Sequence, residues 1–170
     1  MSLSSTSDRF WLKCEKTNQY AYANLFLLKL KMMLGSTVMT SFDAVAGGPR
    51  HQNFHTARNS RDGSFEPLGE GLYAIEDIHW GGQPWDYSSL ISPGLGFAGI
   101  RLHNADTKRS ALEIHWDANR DVSPGTAGCI GLPTKDEMVR LLGYFKNDVN
   151  RPRSLVVDWE LGSVKATDLE

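Results

Sequence analysis

Apolar and polar residues alternate along much of this chain. That period of two restricts its fold more than any other feature, because successive side chains of a strand point to opposite faces of a sheet. In Leu28-Lys29-Leu30-Lys31-Met32 the apolar side chains share one face and the lysines the other. The pattern returns in Leu112-Glu113-Ile114-His115-Trp116 and in Leu155-Val156-Val157-Asp158-Trp159, where Leu155, Val157 and Trp159 face a core. Strand-like segments also run over 37–46, 71–78 and 97–103. The 16 glycines and seven prolines supply the turns between them. The expected class is mostly β, a sandwich or barrel.

One helix interrupts the pattern. Thr134-Lys135-Asp136-Glu137 is a capping box, and Met138, Leu141, Leu142 and Phe145 follow at helical spacing, so one stripe faces the core. With 170 residues and 41% hydrophobic content, a single domain over 1–170 is expected, residues 1–20 being a peripheral segment. Eighteen basic against 20 acidic residues give a net charge of -2, which leaves no electrostatic footprint for nucleic acid. The run NQYAYANLFLLKLKMML is too short and too interrupted for a membrane span. It lacks the flanks and cleavage pattern of a signal peptide, so neither membrane insertion nor a leader is expected. The sequence is silent on oligomeric state.

Two cysteines, Cys14 and Cys129, make neither a disulfide framework nor, alone, a zinc site, and free thiols are expected. Cys129 lies in SPGTAGCIGLP, just before the helix and after the strand that carries His115. Glu113 and His115 fall on the face opposite Leu112, Ile114 and Trp116, so a loop from Asp117 to Ala127 can return Cys129 to the imidazole's side. A histidine there can take the thiol proton. The small residues Gly125, Thr126, Ala127 and Gly128 let backbone amides approach a substrate carbonyl. The amides of Gly128 and Cys129 and the Thr126 hydroxyl are the candidate oxyanion donors. Asp117, Glu113 or a backbone carbonyl near Trp116 could orient the imidazole. On the residues alone, a small buried hydrophobe at 129 fits as well.

The stretch IHWDANRDVSPGTAGCIGL resembles the signature of the L,D-transpeptidase catalytic domain (YkuD-like) family, a glycine-rich, mostly β domain in which a strand-borne histidine is followed by S-x-G-C-I. It looks most like the branch that includes phage-associated and secretion-system proteins directed at the cell wall. The resemblance implies Cys129 as nucleophile and His115 as general base, with Gly128, Thr126, Ala127, Asp117 and Trp116 placing substrate or oxyanion. It implies peptidoglycan stem peptides as substrate, acyl transfer to an amine or to water as the chemistry, no metal or organic cofactor, and action at the cell wall after phage lysis or effector secretion. Three positions depart from the family: Ala127 stands in place of a histidine, Trp116 in place of a small residue, and Gly131 in place of an arginine. Arg101, Arg120 and Arg58 are the residues available to hold a substrate carboxylate, and His79, beside Trp80, is a candidate to line the substrate cleft. A wall-binding or virion structural module on the same scaffold is the alternative, which Ala127 and Gly131 favour. His79, His115 and Cys129 have no metal-site spacing, and Trp85 and Tyr87 suit either a loop cluster or a substrate contact.

Overall fold

The computed structural model describes residues 9–165. In it the alternating segments close on themselves. β1 (Phe10–Tyr20), β2 (Phe26–Leu34), β3 (Thr37–Ala46), β4 (Gly71–Trp80), β5 (Ala98–His103), β6 (Glu113–Trp116), β7 (Ile130–Leu132) and β8 (Ser154–Asp158) form a barrel. Their order around it is β1-β2-β3-β7-β6-β5-β4-β8, and β8 returns to β1. Closure leaves no unpaired sheet edge. Among the described residues the only α-helix is α1 (Lys135–Leu142), and none is long and apolar enough to cross a membrane.

The barrel interior holds the residues that the period of two assigns to it. Leu28, Leu30, Met32, Ile100, Ile114, Leu155, Val157 and Trp159 are all buried there, beneath Met138, Leu141, Leu142 and Phe145 from the helix region. Thr134 Oγ1 accepts from the Glu137 N–H at 3.2 Å and so starts the helix as its sequence predicts.

The N-terminal expectation is corrected. Residues 10–20 are not peripheral, because β1 pairs with both β2 and β8 and buries Leu12 and Cys14 in the main core. Residues 1–8 of that segment lie outside the described residues. Neighbouring Trp11 is buried on the other face with Met33 and Val156, so β1 begins apolar on both sides. The apolar run 18–34 is the β1–β2 hairpin and strand β2 itself.

Two pairs in this barrel are parallel, β1 with β8 and β6 with β7. A buried carboxylate holds the chain that leaves β8 against the start of β4, which pairs with β8 antiparallel. Glu70 Oε1 accepts from Trp159 N at 2.8 Å and Leu161 N at 2.9 Å, while Oε2 accepts from Ser163 N at 3.0 Å and the Ser163 hydroxyl at 2.5 Å. Burial pushes the Glu70 carboxyl up, but these donors outweigh it and hold it below the usual carboxylate range. A lowered carboxyl stabilises the fold fully above the unfolded-state value near ~4.3, and the contribution is lost as pH falls through the lower folded-state value. Glu70→Gln is expected to cost about 2 kcal/mol at pH 7 in urea unfolding, with the difference from wild type shrinking below about pH 4. Equal stabilities at pH 7 would contradict this role.

Candidate active site

The parallel β6–β7 pair brings the cysteine loop to the histidine strand. Ile114 pairs with Ile130 and His115 with Gly131, which sets Cys129 beside Glu113, one position before the ladder starts. Ile114 and Ile130 point into the core. Glu113, His115 and Cys129 therefore share the opposite face, since side chains alternate. His115 also pairs with Gly99 on β5, so both of its cross-strand neighbours are glycines and no side chain crowds the ring from either strand.

His115 Nδ1 lies 2.7 Å from the Trp116 carbonyl oxygen. A carbonyl can only accept, so Nδ1 carries the proton and Nε2 keeps its lone pair. Burial lowers the imidazole's affinity for a second proton, against the opposing pull of the Trp116 carbonyl, Asp117 and Glu113, and the ring is neutral at pH 7. Of the three orienting groups that the sequence left open, the Trp116 carbonyl is the one bonded to the ring. The indole itself packs against the core and Phe97, so Trp116 positions through its backbone and not its side chain.

Cys129 is 9% exposed and shares with His115 the lining of a cavity of about 550 Å³, walled by Gly48, His51, Leu95 and Ala111. Its sulfur accepts from the Glu113 N–H at 3.4 Å and lies 3.6 Å from the Ala111 carbonyl oxygen. Among the described residues no hydrogen bond joins thiol and imidazole, so the sulfur at rest is turned to Ala111. That residue holds φ at 58°, a backbone strain of the kind that collects at functional sites. Burial pushes the thiol up to about 11, opposed by the Glu113 N–H, and Cys129 is protonated at neutral pH. Cys14 is also free, fully buried in the barrel and raised further by desolvation.

The oxyanion candidates are redistributed. Gly128 N–H donates to Thr126 Oγ1 at 3.1 Å, and the Thr126 hydroxyl donates to the Cys129 carbonyl at 2.6 Å. Neither is free for a substrate, and both brace the loop instead. Thr126 Oγ1 also receives Gly47 N–H at 3.0 Å, which ties the loop to the end of β3. The Cys129 N–H, the other nominated amide, is directed at its own sulfur and acts to lower the thiol. Asp117 Oδ2 accepts from the Tyr22 hydroxyl at 2.6 Å and Gly125 N–H at 2.8 Å, so Asp117 anchors the loop. Burial raises its carboxyl, and Oδ1 has no hydrogen-bond partner. Ala127 lines the cavity. A Cβ at Gly131 would stand 3.0 Å from Thr126 Cγ2 and 3.3 Å from the Asp117 Cβ, which explains why no arginine occupies the position after Ile130.

Sequence reasoning missed Arg109. Its guanidinium is buried and donates from Nη1 to Ser60 Oγ at 2.9 Å, Glu66 O at 3.0 Å and Pro67 O at 3.2 Å, and from Nη2 to Ala127 O at 2.8 Å. It clamps the cysteine loop to segment 60–67. Gly128 exists to admit it: φ is +136°, and a Cβ there would lie 1.8 Å from Nη2. A lone arginine in the patternless stretch 104–111 gives no signal of this in sequence. Arg120 is corrected, since its guanidinium lies over the Tyr22 ring at 4.9 Å and does not line the cavity. Arg58 is likewise elsewhere, beside Glu70 and Gly71. His79 and Arg101 line an adjoining cavity with Glu113. Trp85 and Tyr87 pack against Trp80 in a loop cluster. His79, His115 and Cys129 form no metal-binding group, nor does any other set of three or more such side chains among the described residues.

The fold and site together define a mostly β barrel that carries a neutral imidazole on β6 and a thiol at the entry to the adjacent parallel strand β7, both lining one cavity. No protein-family model matches the chain, and no curated protein does. Among solved structures, that of Bdellovibrio bacteriovorus Bd1075 is similar with a TM-score of 0.52 over 95% of this chain, at 15% sequence identity. This chain spans about half of that protein, 51% of its length, and the likeness is one of fold.

The clamp makes a direct prediction. Arg109→Met leaves three backbone carbonyls and a hydroxyl without their donor, and is expected to lower the unfolding free energy by about 3 kcal/mol in urea denaturation. Gly128→Ala is expected to do comparable damage by expelling the same guanidinium. A loss within about 0.5 kcal/mol of wild type, the range of an ordinary surface change, would remove the clamp from the account.

Proposed function

We propose that this chain is a cysteine-dependent acyl-transfer enzyme of the L,D-transpeptidase type, acting on peptidoglycan stem peptides at the cell wall. The observation that carries the reading is the shared face of β6 and β7, where Cys129 and an Nδ1-protonated His115 line one cavity. The motif around Cys129 supplies the substrate class.

The chemistry begins with rotation of the Cys129 thiol from the Ala111 carbonyl toward the imidazole. Catalytic hydrogen bonds often tighten only when substrate binds. His115 Nε2 takes the thiol proton as sulfur bonds to the substrate carbonyl carbon, and the Cys129 N–H holds the oxyanion. The C–N bond then breaks, Nε2 returns the proton to the leaving amine, and a thioester remains. An incoming amine or water gives its proton to Nε2 and displaces the sulfur, which leaves a new amide or a carboxylate and restores the thiol. The inward turn of the resting thiol, with its raised pKa of about 11, favours the second reading, a wall-binding module without turnover.

Intact mass separates the two. Incubation with a carbapenem or with muropeptides is expected to give a covalent adduct that is absent in Cys129→Ala, and His115→Ala is expected to slow its formation by about a hundredfold or more. Wall binding with no adduct and unchanged muropeptides would leave the module reading in place. The pH dependence follows from the neutral base. Burial holds the His115 pKa below its ordinary 6.5, so kcat/KM is expected to fall only as pH drops through a midpoint below 6.5. A midpoint at or above 7 would contradict the base assignment.

A further inference from the structure

The first hairpin runs past the mouth of the barrel. β1 pairs with β8 only as far as Glu15, and β2 pairs with β3 only from Leu28 onward, so the hairpin end stands clear of both neighbouring strands. Its ladder is irregular between Lys16 and Tyr20 and closes again with Tyr20 opposite Phe26. Segment 48–55 lies against this overhang, and Gln52 fixes it there. Gln52 Oε1 accepts from the Phe26 N–H at 2.8 Å, and its Nε2 donates to the Ala46 carbonyl at 2.9 Å. Between hairpin and segment lie two cavities of about 930 and 590 Å³ that share Phe26, Gln52 and Asn53 and so form one groove.

A line of rings runs along this groove. Trp159, buried in the core, meets Phe54 at 4.9 Å between centroids, Phe54 meets Phe26 at 5.9 Å, and Phe26 stacks on Tyr20 at 4.9 Å. The line ends in the open, since Tyr20 is 61% exposed. Carboxamides accompany the rings. Asn18, Asn24 and Asn53 are exposed, and their side chains make no hydrogen bond among the described residues. Each offers a donor and an acceptor together. The fixed charges are of both signs: Lys16, Arg50 and Arg61 share the groove with Glu66 and Glu160. A polyanion would meet two carboxylates and leave the rings without a role. A sugar has an apolar C–H face for an aromatic ring and polar substituents at its edge for carboxamides, so it uses both features.

We propose that this groove binds a neutral oligosaccharide, with sugar rings stacked on Tyr20 and Phe26 and their hydroxyl or amide substituents bonded to Asn18, Asn24 and Asn53. The wall held by Gln52 is formed in advance, which lowers the cost of binding. Segment 48–55 also relates the groove to the thiol. Gly48, Pro49 and His51 line the thiol cavity, whereas Arg50, Gln52 and Asn53 line the groove. One short stretch of backbone borders both, so a glycan in the groove lies alongside whatever fills the thiol cavity. The binding does not depend on acyl transfer.

The test titrates cellotetraose and chitotetraose, neutral chains without and with acetamido groups, into the full chain beside tetragalacturonate, which carries a carboxylate on every sugar. Nuclear magnetic resonance of the Asn18, Asn24 and Asn53 side-chain amides reports the site. At least one neutral chain is expected to shift these signals and to bind about tenfold more tightly than tetragalacturonate. Tyr20→Ala is expected to weaken that binding about tenfold, Tyr20→Phe to retain it, and Asn53→Ala to weaken it severalfold. Tyr20 and Asn53 are exposed, so these variants keep the fold, and unchanged backbone amide signals away from the groove check this. Failure of both neutral chains to bind at millimolar concentration, tighter binding of tetragalacturonate, or binding indifferent to Tyr20→Ala would overturn the proposal. Binding in the groove without a Cys129 adduct would defeat the enzyme reading alone. An adduct without binding in the groove would defeat the groove alone.

Discussion

The parallel pairing of β6 with β7 is the constraint on which the site depends. Antiparallel neighbours can be joined by a tight hairpin, whereas parallel ones need a long return connection, usually helical. Here the return is the loop over residues 117–129, with no helix of its own, and it ends on the cysteine. In a parallel ladder the residue that enters the second strand stands beside the start of the first. Cys129 is therefore set against Glu113 and one step from His115 by register alone. Shifting that register by one residue would turn the thiol's face toward the core.

A loop of glycines and small residues does not hold such a register unaided, and the molecule spends buried polar groups to fix it. Asp117 with Tyr22 grips the loop at Gly125, Thr126 closes on Gly47 and on the Cys129 carbonyl, and Arg109 pins Ala127 from beneath. Each of these contacts uses a donor or acceptor that an open glycine loop could have offered to a substrate. The same enclosure desolvates both reactive groups, which keeps the imidazole neutral and the thiol protonated. On the proposed acyl-transfer reading, a neutral pair of this kind needs proton transfer in the attacking step, and the proton-free Nε2 is the group suited to receive it.

Part of the sheet is legible in the sequence, because strands with one buried face alternate: Leu28, Leu30 and Met32 on β2 and Ile100 and Leu102 on β5 fall on the core side. β3 ends in the buried run Ala44-Val45-Ala46, and β8 buries Leu155, Val156 and Val157 in succession. β1 also escapes the alternation. Phe10, Trp11 and Leu12 are apolar in succession, since Trp11 packs beneath Met33 and Val156 on the outer face while Leu12 fills the barrel. β7 is three residues long and buried throughout, so it has no alternation to show. At the site, the glycine-rich motif marks Cys129 and the strand period marks the face of His115. What binds the loop is not legible. Arg109 and Tyr22 are distant in sequence from what they hold, and the glycines at 99, 128 and 131 look interchangeable until the Glu113 carboxylate, the Arg109 guanidinium and the Thr126 methyl are seen against them.

At the centre of the site is a neutral His115, protonated on Nδ1 by its bond to the Trp116 carbonyl, with Nε2 bare and a protonated thiol lining the same cavity. The most direct measurement is the pair of ¹⁵N chemical shifts of the His115 ring at pH 7. The account predicts one pyrrole-type nitrogen at Nδ1 and one pyridine-type nitrogen at Nε2. A doubly protonated ring, or a proton on Nε2, would contradict it.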